Sequence, residues 1–105
     1  PFKLFTSPLC LAIAFYFAEK KSKGIIAKRK IELLASHLHI AGNSAPSVNL
    51  VLQNSKIHDF EDGLEYYAAL EKGCSCIITE DLKDFYFSEI EVITAKDFFE
   101  KYLVR

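Results

Sequence analysis

Four aspartates in the second half of the chain have the residue type and spacing of a divalent-metal site. Asp59 and Asp62 open a predicted helix, and Asp81 and Asp84 flank the exit from a short predicted strand. Clustered carboxylates repel each other, and a hard divalent cation such as Mg²⁺ or Mn²⁺ relieves that repulsion. Such a cation can also activate water and stabilise a phosphoryl transition state. The pattern therefore favours metal-assisted hydrolysis.

Each aspartate also has a simpler interpretation, as a helix cap or a turn residue. Aspartate commonly accepts backbone N–H groups at helix N-termini and in turns. We favour this interpretation for Asp59 and Asp84 when each is considered alone. The spacing of Asp62 and Asp81 favours a functional role, because a parallel sheet would bring the helix start and the strand exit to one cleft.

Charge is distributed unevenly along the chain. Residues 1–57 carry eight Lys and Arg against two Glu, a net charge of +6, and residues 58–105 carry a net charge of −7. This asymmetry is expected when one part of a chain binds a polyanion and another binds a cation. The candidate phosphate contacts, which would position RNA without reading its sequence, are Lys20, Lys21, Lys23, Lys28, Arg29 and Lys30. The favoured interpretation of the basic stretch alone is that these side chains only solvate helix ends around Gly24.

Predicted strands alternate with predicted helices along the chain. Strands are predicted at residues 2–6, 38–40, 76–79 and 91–93, and helices at about 7–21, 25–37, 44–53, 59–73 and from 94 onward. Ser7 and Thr94 are predicted N-caps, Gly24 and Gly73 are predicted to end helices, and residues 80–84 form a turn. This order predicts an α/β fold, a three-layer parallel sheet flanked by helices.

The apolar run from Leu9 to Ala18 is predicted to be a buried core helix. It is too short to span a bilayer and has no signal-peptide cleavage site, so we expect no membrane association. The three cysteines, Cys10, Cys74 and Cys76, are an odd number in a small chain. That count argues against a disulfide framework and indicates a reducing compartment, so we expect a cytoplasmic protein.

Histidines and aromatic residues offer weaker alternatives. His37 and His39 have the spacing of a zinc pair, but the sequence shows no third ligand, and His58 is predicted to lie in a loop. Four aromatic side chains near the aspartates are able to stack on bases, although a place in the core is the favoured interpretation: Tyr66, Tyr67, Phe85 and Tyr86.

The acidic motifs resemble the C-terminal half of a PIN domain, the ribonuclease domain of VapC-like toxins and their relatives. That family has the pattern D-F-x-D-A-L, an alanine-rich helix, a glycine, a short apolar strand, T-x-[DN]-x-x-D-F and V-[IL]-[ST]-P. The corresponding segments here are residues 59–70, Gly73, residues 77–85 and residues 92–94. Residues 6–20 also resemble the second strand and following helix of the family.

The resemblance implies a role for each matching residue. Asp62 matches the metal carboxylate on the helix, Asp81 the carboxylate after the strand, and Asp84 the acidic residue before phenylalanine. Thr79 matches the strand-end hydroxyl, and Asp59 matches an acidic residue that many relatives have. These matches imply a catalytic set of Asp62, Thr79, Asp81 and Asp84, with Asp59 as a further ligand of Mg²⁺ or Mn²⁺. They also imply an RNA substrate, an antitoxin protein as partner and a homodimer.

Two departures from the family pattern bear on activity. The first strand of the family, with its D-x-[NS] motif, has no counterpart, and Ile13 stands where the family has Glu or Asn. Because the chain also starts at Pro1 and contains no Met, we expect an N-terminally truncated, partial PIN-like domain over residues 1–105. The rival hypothesis is a catalytically inactive fold that serves as a binding or dimerisation module. A receiver-like domain with Asp81 as phosphoacceptor is a third, less supported hypothesis.

Overall fold

The structure, a computed structural model, describes residues 2–104. The expected N-terminal truncation was argued partly from Pro1, which lies outside the described residues. The chain divides into two compact units, Pro1–Gly42 and Asn43–Arg105. The first unit contains strand β1 (Phe5–Thr6), helix α1 (Pro8–Lys21), helix α2 (Gly24–Ser36) and strand β2 (His39–Ile40). The second contains helices α3 (Ala45–Gln53) and α4 (Phe60–Glu71), strands β3 (Cys76–Ile78) and β4 (Glu91–Ile93), and helix α5 (Ala95–Phe98). A 3₁₀ helix, Leu82–Phe85, replaces most of the predicted turn, and a π-helical turn, Phe99–Leu103, follows α5.

Both units contain parallel strands, and the predicted mixture of helices and strands is confirmed. β1 pairs in parallel with β2, and β3 pairs in parallel with β4, with Cys76 opposite Glu91 and Ile78 opposite Ile93. The sheets are small, because each contains two strands among the described residues. The first strand is also shorter than predicted. Its ladder with β2 is short. The His39 N–H donates to the Leu4 carbonyl at 2.8 Å, and the Ala41 N–H donates to the Thr6 carbonyl at 2.7 Å.

Both ends of α1 follow the prediction of a helix over about residues 7–21, but the residue that ends it differs from the one predicted. The Ser7 hydroxyl accepts the N–H of Cys10 at 3.0 Å, and Pro8 occupies the first turn, where its missing N–H costs nothing. The prediction that Gly24 ends this helix is wrong. Ser22 is already extended (φ −142°, ψ 162°) and caps α1, so Gly24 instead begins α2.

The prediction of a buried core helix over Leu9–Ala18 is also wrong. All 14 residues of α1 are described, and none of them is buried. α1 packs on α2, where Ala27 is fully buried while Leu33 remains 65% exposed. Two helices and a two-stranded sheet offer too little surface to cover every apolar side chain, so this unit keeps exposed apolar residues.

The second unit is built around α4. Gly73 ends this helix as predicted, because its φ of +69° is left-handed backbone that favours glycine. Tyr66 and Ala68 are buried at 4% and 2% exposure. The hydroxyl of Tyr66 accepts the N–H of Glu89 at 3.2 Å, which ties α4 to the loop before β4. α4 also contacts β3 and the 3₁₀ helix that follows β3.

Gly63→Ala is expected to destabilise the second unit by about 1 kcal/mol. A Cβ at this position would lie 2.5 Å from Cγ1 of Val51 and 2.8 Å from Cγ2 of Ile57, and these atoms belong to stiff, branched side chains. Overpacking typically costs about 1–3 kcal/mol, against a gain of about 1 kcal/mol in helix propensity. Urea unfolding measures the difference.

A double-mutant cycle with Val51→Ala is the control for this prediction. Val51→Ala removes the nearer clashing methyl group, so the added cost of Gly63→Ala should shrink in that background. A Gly63→Ala protein more stable than the unaltered chain would show that the helix and its neighbours relax without strain.

Candidate active site

The first turn of α4 places Asp59 and Asp62 side by side. Asp59 is the N-cap residue, and its Oδ1 accepts the N–H of Asp62 at 3.1 Å. Its interpretation as a helix cap is therefore confirmed, and the capping bond fixes the spacing between the two residues. Asp62 is partly buried, whereas Asp59 is exposed.

The pKa of the Asp62 carboxyl is raised from its ordinary value of 3.8 to about 6. Desolvation by burial is the largest cause, followed by the negative charges of Asp59 and Asp84, and then those of Glu61 and Glu65. The folded chain thus brings a charge from the 3₁₀ helix to the start of α4. Carboxylates crowded in this way resist ionisation, and strongly perturbed pKa values are typical of functional sites.

Asp81 and Asp84 lie on the turn that leaves the carboxyl end of β3. The Thr79 hydroxyl accepts the N–H of Asp81 at 3.0 Å, and the Asp81 carbonyl accepts the N–H of Asp84 at 3.0 Å. The Thr79 N–H donates to the Ile93 carbonyl at 3.0 Å, which extends the pairing of β3 with β4. In this structure Thr79 therefore orients the acidic turn. Both aspartates line an open depression of about 410 Å³, together with Glu80, Leu82 and Lys83.

The four predicted acidic residues form two overlapping groups. One group contains Asp62 with Asp59 and Asp84, whose charges raise its pKa. The other contains Asp81 and Asp84, which line the same depression. Asp84 belongs to both groups. Within residues 2–104, no group of three or more His, Cys, Asp or Glu side chains is arranged to hold a metal ion.

The donor chemistry nevertheless fits Mg²⁺ or Mn²⁺. Magnesium in proteins is usually bound by one or two carboxylates, with water and substrate phosphate completing its shell, and manganese also prefers oxygen ligands. The carboxylate oxygens of Asp62, Asp81 and Asp84 are ligands of this kind. A cation near Asp62 would also offset the repulsion that, after burial, raises the pKa of this side chain.

The predicted phosphate-binding residues lie in the first unit, and all six are exposed: Lys20, Lys21, Lys23, Lys28, Arg29 and Lys30. Lys20 Nζ lies 4.3 Å from the ring centroid of Tyr16, a cation–π contact. Lys30 Nζ donates to the Ser22 hydroxyl at 3.0 Å. The positive charges are therefore accessible at the junction of α1 and α2, where they were predicted.

The prediction that the aromatic residues near the site are core residues is correct for only some of them. Tyr66 and Phe85 are buried at 4% and 8% exposure, whereas Tyr86 is 56% exposed. Tyr86 stacks on His58, with ring centroids 5.8 Å apart and an interplanar angle of 21°. The sequence indicated the location of this pair only through its closeness to the aspartates. His58 precedes Asp59, and Tyr86 follows Asp84 by two residues.

Ile13 is half-buried on α1, and its side chain offers no metal ligand where the family has Glu or Asn. No described helix combines the length and apolar character needed to cross a bilayer. Cys74 and Cys76 are free cysteines, and burial raises the pKa of both thiols. Raised thiol pKa values favour the unreactive protonated form.

Two comparisons with known proteins bear on the fold and the acidic motifs. The chain is 29% identical over 104 residues to Ribonuclease VapC1 of Aquifex aeolicus (strain VF5), an alignment that covers 96% of this chain and 72% of the relative. It also matches a chain in the 2.2 Å resolution structure of VapBC-1 from nontypeable Haemophilus influenzae. That match has a TM-score of 0.67 at 17% sequence identity and covers 88% of this chain and 74% of the other.

No family model matches the chain. The structural match, at 17% identity, concerns the fold, and the alignment with the ribonuclease extends over nearly all of this chain. Together they confirm the resemblance to the VapC-like PIN-domain family that the acidic motifs indicate.

Proposed function

We propose that this chain is the larger C-terminal part of a PIN-type, metal-dependent ribonuclease that hydrolyses phosphodiester bonds of RNA, as the toxin of a toxin–antitoxin pair. The observation that carries the proposal is the raised pKa of Asp62, which results first from burial and then from the negative charges of the carboxylates around it. The similarity to a protein named Ribonuclease VapC1 supports RNA as the substrate. The proposal includes the three-layer arrangement of the family over residues 1–105, which is supported by the parallel pairing in both small sheets.

The proposed metal ligands are Asp62 and Asp81, with Asp84 and Asp59 beside them. A bound Mg²⁺ or Mn²⁺ would supply Lewis-acid stabilisation of the phosphate charge and would lower the pKa of water. Asp62 has a pKa of about 6, so it is ionised and able to act as a ligand at neutral pH. The Thr79 hydroxyl accepts the Asp81 N–H, which supports a positioning role for Thr79 in the acidic turn.

RNA and protein partners follow from the same proposal. The six exposed basic residues at the junction of α1 and α2 would contact phosphates, which supports binding of a polyanion. The resemblance to VapC-like toxins supports an antitoxin partner and a homodimer. Exposed apolar side chains, such as Phe17 at 59% and Ile25 at 73% exposure, support a protein interface on the first unit. The free thiols of Cys74 and Cys76 support a reducing cytoplasm.

A second candidate function is a catalytically inactive binding or dimerisation module with the same fold. The presence of Ile13 at a position where the family has a metal ligand favours it. So does the lack, within the described residues, of a group of three metal-binding side chains. This candidate predicts a dimer, by light scattering, that binds RNA or protein without cutting RNA.

Incubation of the chain with labelled single-stranded RNA in Mn²⁺ distinguishes the two candidates. The ribonuclease proposal predicts cleavage that requires Mn²⁺ and stops when EDTA is added. Asp97→Asn is a control variant that should cleave RNA as the unaltered chain does. Asp97 is an exposed aspartate in the first turn of α5, outside the acidic groups described above. Intact RNA in the presence of Mn²⁺ would reject the ribonuclease proposal for this chain and favour the binding module.

Replacing Lys20, Lys21 and Lys23 together with Ala is expected to weaken RNA binding and its dependence on salt. Each lost phosphate contact on a single strand lowers the slope of log K against log salt by about 0.7, so three lost contacts lower it by about 2. Anisotropy titrations of labelled RNA at several salt concentrations measure the slope. Lys72→Ala, which removes an exposed lysine of the second unit, is the control. An unchanged slope in the triple variant would mean that these lysines only solvate the helix ends.

A further inference from the structure

His58 and Tyr86 form an ordered pair of rings on the surface of the second unit. Their ring centroids lie 5.8 Å apart with an interplanar angle of 21°, and the Tyr86 side chain is 56% exposed. The Tyr86 hydroxyl donates a hydrogen bond to the Lys56 carbonyl oxygen, which anchors the ring to the loop before α4. The ring of Phe87 meets the Tyr86 ring edge-on, at 5.4 Å and 85°. These contacts hold the pair in place while leaving much of the Tyr86 ring accessible.

The chain segments that carry these rings also carry the acidic site. His58 directly precedes Asp59, and Tyr86 follows Asp84 by two residues. The charges of Asp59 and Asp84 both raise the pKa of Asp62, so both segments approach this carboxylate. The ring pair therefore lies one or two residues from the carboxylates of the proposed active site.

We propose that the His58–Tyr86 ring pair binds an unpaired nucleobase of the RNA strand next to the phosphodiester that the acidic site would cleave; the inference rests on the ribonuclease function proposed above. An exposed aromatic ring stacks on any base, because every base presents a π-face. In a duplex the bases are stacked on each other, so single-stranded RNA offers this contact and double-stranded RNA does not. The substrate is therefore a single-stranded segment.

The charge of the second unit makes such a contact useful. Residues 58–105 carry a net charge of −7, which repels the phosphates of an approaching strand. Stacking on the ring pair attracts the bases and depends little on salt, whereas attraction to lysine side chains fades as salt screens it. The ring pair thus supplies affinity where the acidic groups oppose it, and it does so without strong preference for one base.

Local packing alone does not account for the exposure of these rings. Tyr66 and Phe85, which are neighbours in the same aromatic cluster, are buried at 4% and 8% exposure. Tyr66 and Phe85 each contact Phe87, with centroids 5.1 Å and 5.9 Å apart. The core of this region is therefore closed by other aromatic residues, while His58 and Tyr86 remain on its outer side.

Two variants of Tyr86 separate stacking from anchoring. Tyr86→Leu removes the aromatic face, and Tyr86→Phe keeps the face but removes the hydrogen bond to Lys56. The probes are a short oligouridylate and an abasic ribose-phosphate oligomer of the same length, with binding measured by anisotropy in EDTA. Tyr86→Leu should weaken oligouridylate binding by about tenfold, and Tyr86→Phe should stay within about twofold of the unaltered chain. The abasic oligomer should bind all three proteins equally.

Several outcomes would overturn the inference. Equal losses in Tyr86→Leu and Tyr86→Phe would assign the effect to the anchored loop, and an equal loss of the abasic oligomer would assign it to the phosphate backbone. His58→Leu provides a second test should Tyr86→Leu fail to fold, because His58 is an exposed residue outside the helices and strands. It too should weaken oligouridylate binding, and unchanged binding would count against the ring pair.

Failure of this inference can be told apart from failure of the ribonuclease proposal. Metal-dependent cleavage by the unaltered chain, combined with unchanged oligouridylate binding in Tyr86→Leu, would reject the ring pair and keep the ribonuclease. Absence of cleavage, combined with the tenfold loss in Tyr86→Leu, would reject the ribonuclease and leave a base-binding surface. Intrinsic fluorescence provides a further readout, because the chain contains five Tyr and no Trp. Oligouridylate should quench tyrosine emission less in Tyr86→Leu than in the unaltered chain.

Discussion

Replacing Asp62 with Asn is expected to lower the rate of metal-dependent RNA cleavage by at least about 100-fold. Asn has nearly the shape of Asp but no charge, so the variant loses a proposed metal ligand with little change in packing. The neighbouring Glu61→Gln is the control, because it removes a charge from the same helix turn at an exposed position. Single-turnover cleavage of labelled RNA in Mn²⁺ measures both. A rate in Asp62→Asn close to that of Glu61→Gln would exclude Asp62 from the reaction.

The same variant should be more stable than the unaltered chain. Because the folded pKa of Asp62 is raised to about 6, its ionised form is less favourable in the folded chain than in the unfolded chain. The contribution of Asp62 to the free energy of unfolding is fully present below its ordinary pKa of 3.8 and is lost as the pH rises through about 6. Asp62→Asn should therefore gain about 1 kcal/mol at neutral pH, a value reduced for partial solvent exposure, and the difference should vanish in acid. Urea unfolding at several pH values measures this gain.

At subsaturating Mn²⁺, cleavage is expected to fall by up to tenfold for each pH unit below about 6, because protonation of Asp62 in the metal-free chain removes the proposed metal ligand. Asp59→Asn should shift this midpoint to lower pH, because it removes the charge that is the second cause of the raised pKa of Asp62. Asn is also a good N-cap residue, so α4 keeps its capping bond. A pH–rate profile of each protein measures the midpoints. The same midpoint in both proteins would mean that another group controls the acid limb.

Features determined by local sequence were predicted well. Ser7 and Thr94 are N-caps as expected, and the Thr94 hydroxyl accepts the N–H of Asp97 at 3.1 Å. Gly73 ends α4 through its left-handed φ. Each of these features depends on residues within about one helical turn, so the sequence alone contains the necessary information. The failure at Gly24 is also local, because Ser22 ends α1 before the glycine is reached.

Features determined by distant contacts were not predictable in the same way. The apolar character of residues 9–18 was plain in the sequence, but burial depends on what covers a helix, and none of α1 is buried. The pKa of Asp62 depends partly on Asp84, which lies 22 positions further along the chain. The stacking of His58 on Tyr86 joins a loop to the end of a 3₁₀ helix. Residue type, spacing and family resemblance indicated the acidic residues, whereas their electrostatic coupling required the folded chain.

The most direct test of the central claim is the pKa of Asp62 itself, measured by NMR of the side-chain carboxyl carbon in the presence and absence of Mg²⁺. Without the cation, the carboxyl should titrate near 6, as burial and the charges of Asp59 and Asp84 require. Saturating Mg²⁺ should lower the pKa of Asp62 well below that value, because a bound cation favours the ionised form. A pKa that stays near 6 in Mg²⁺ would contradict the account, because it would mean that no cation binds at the start of α4.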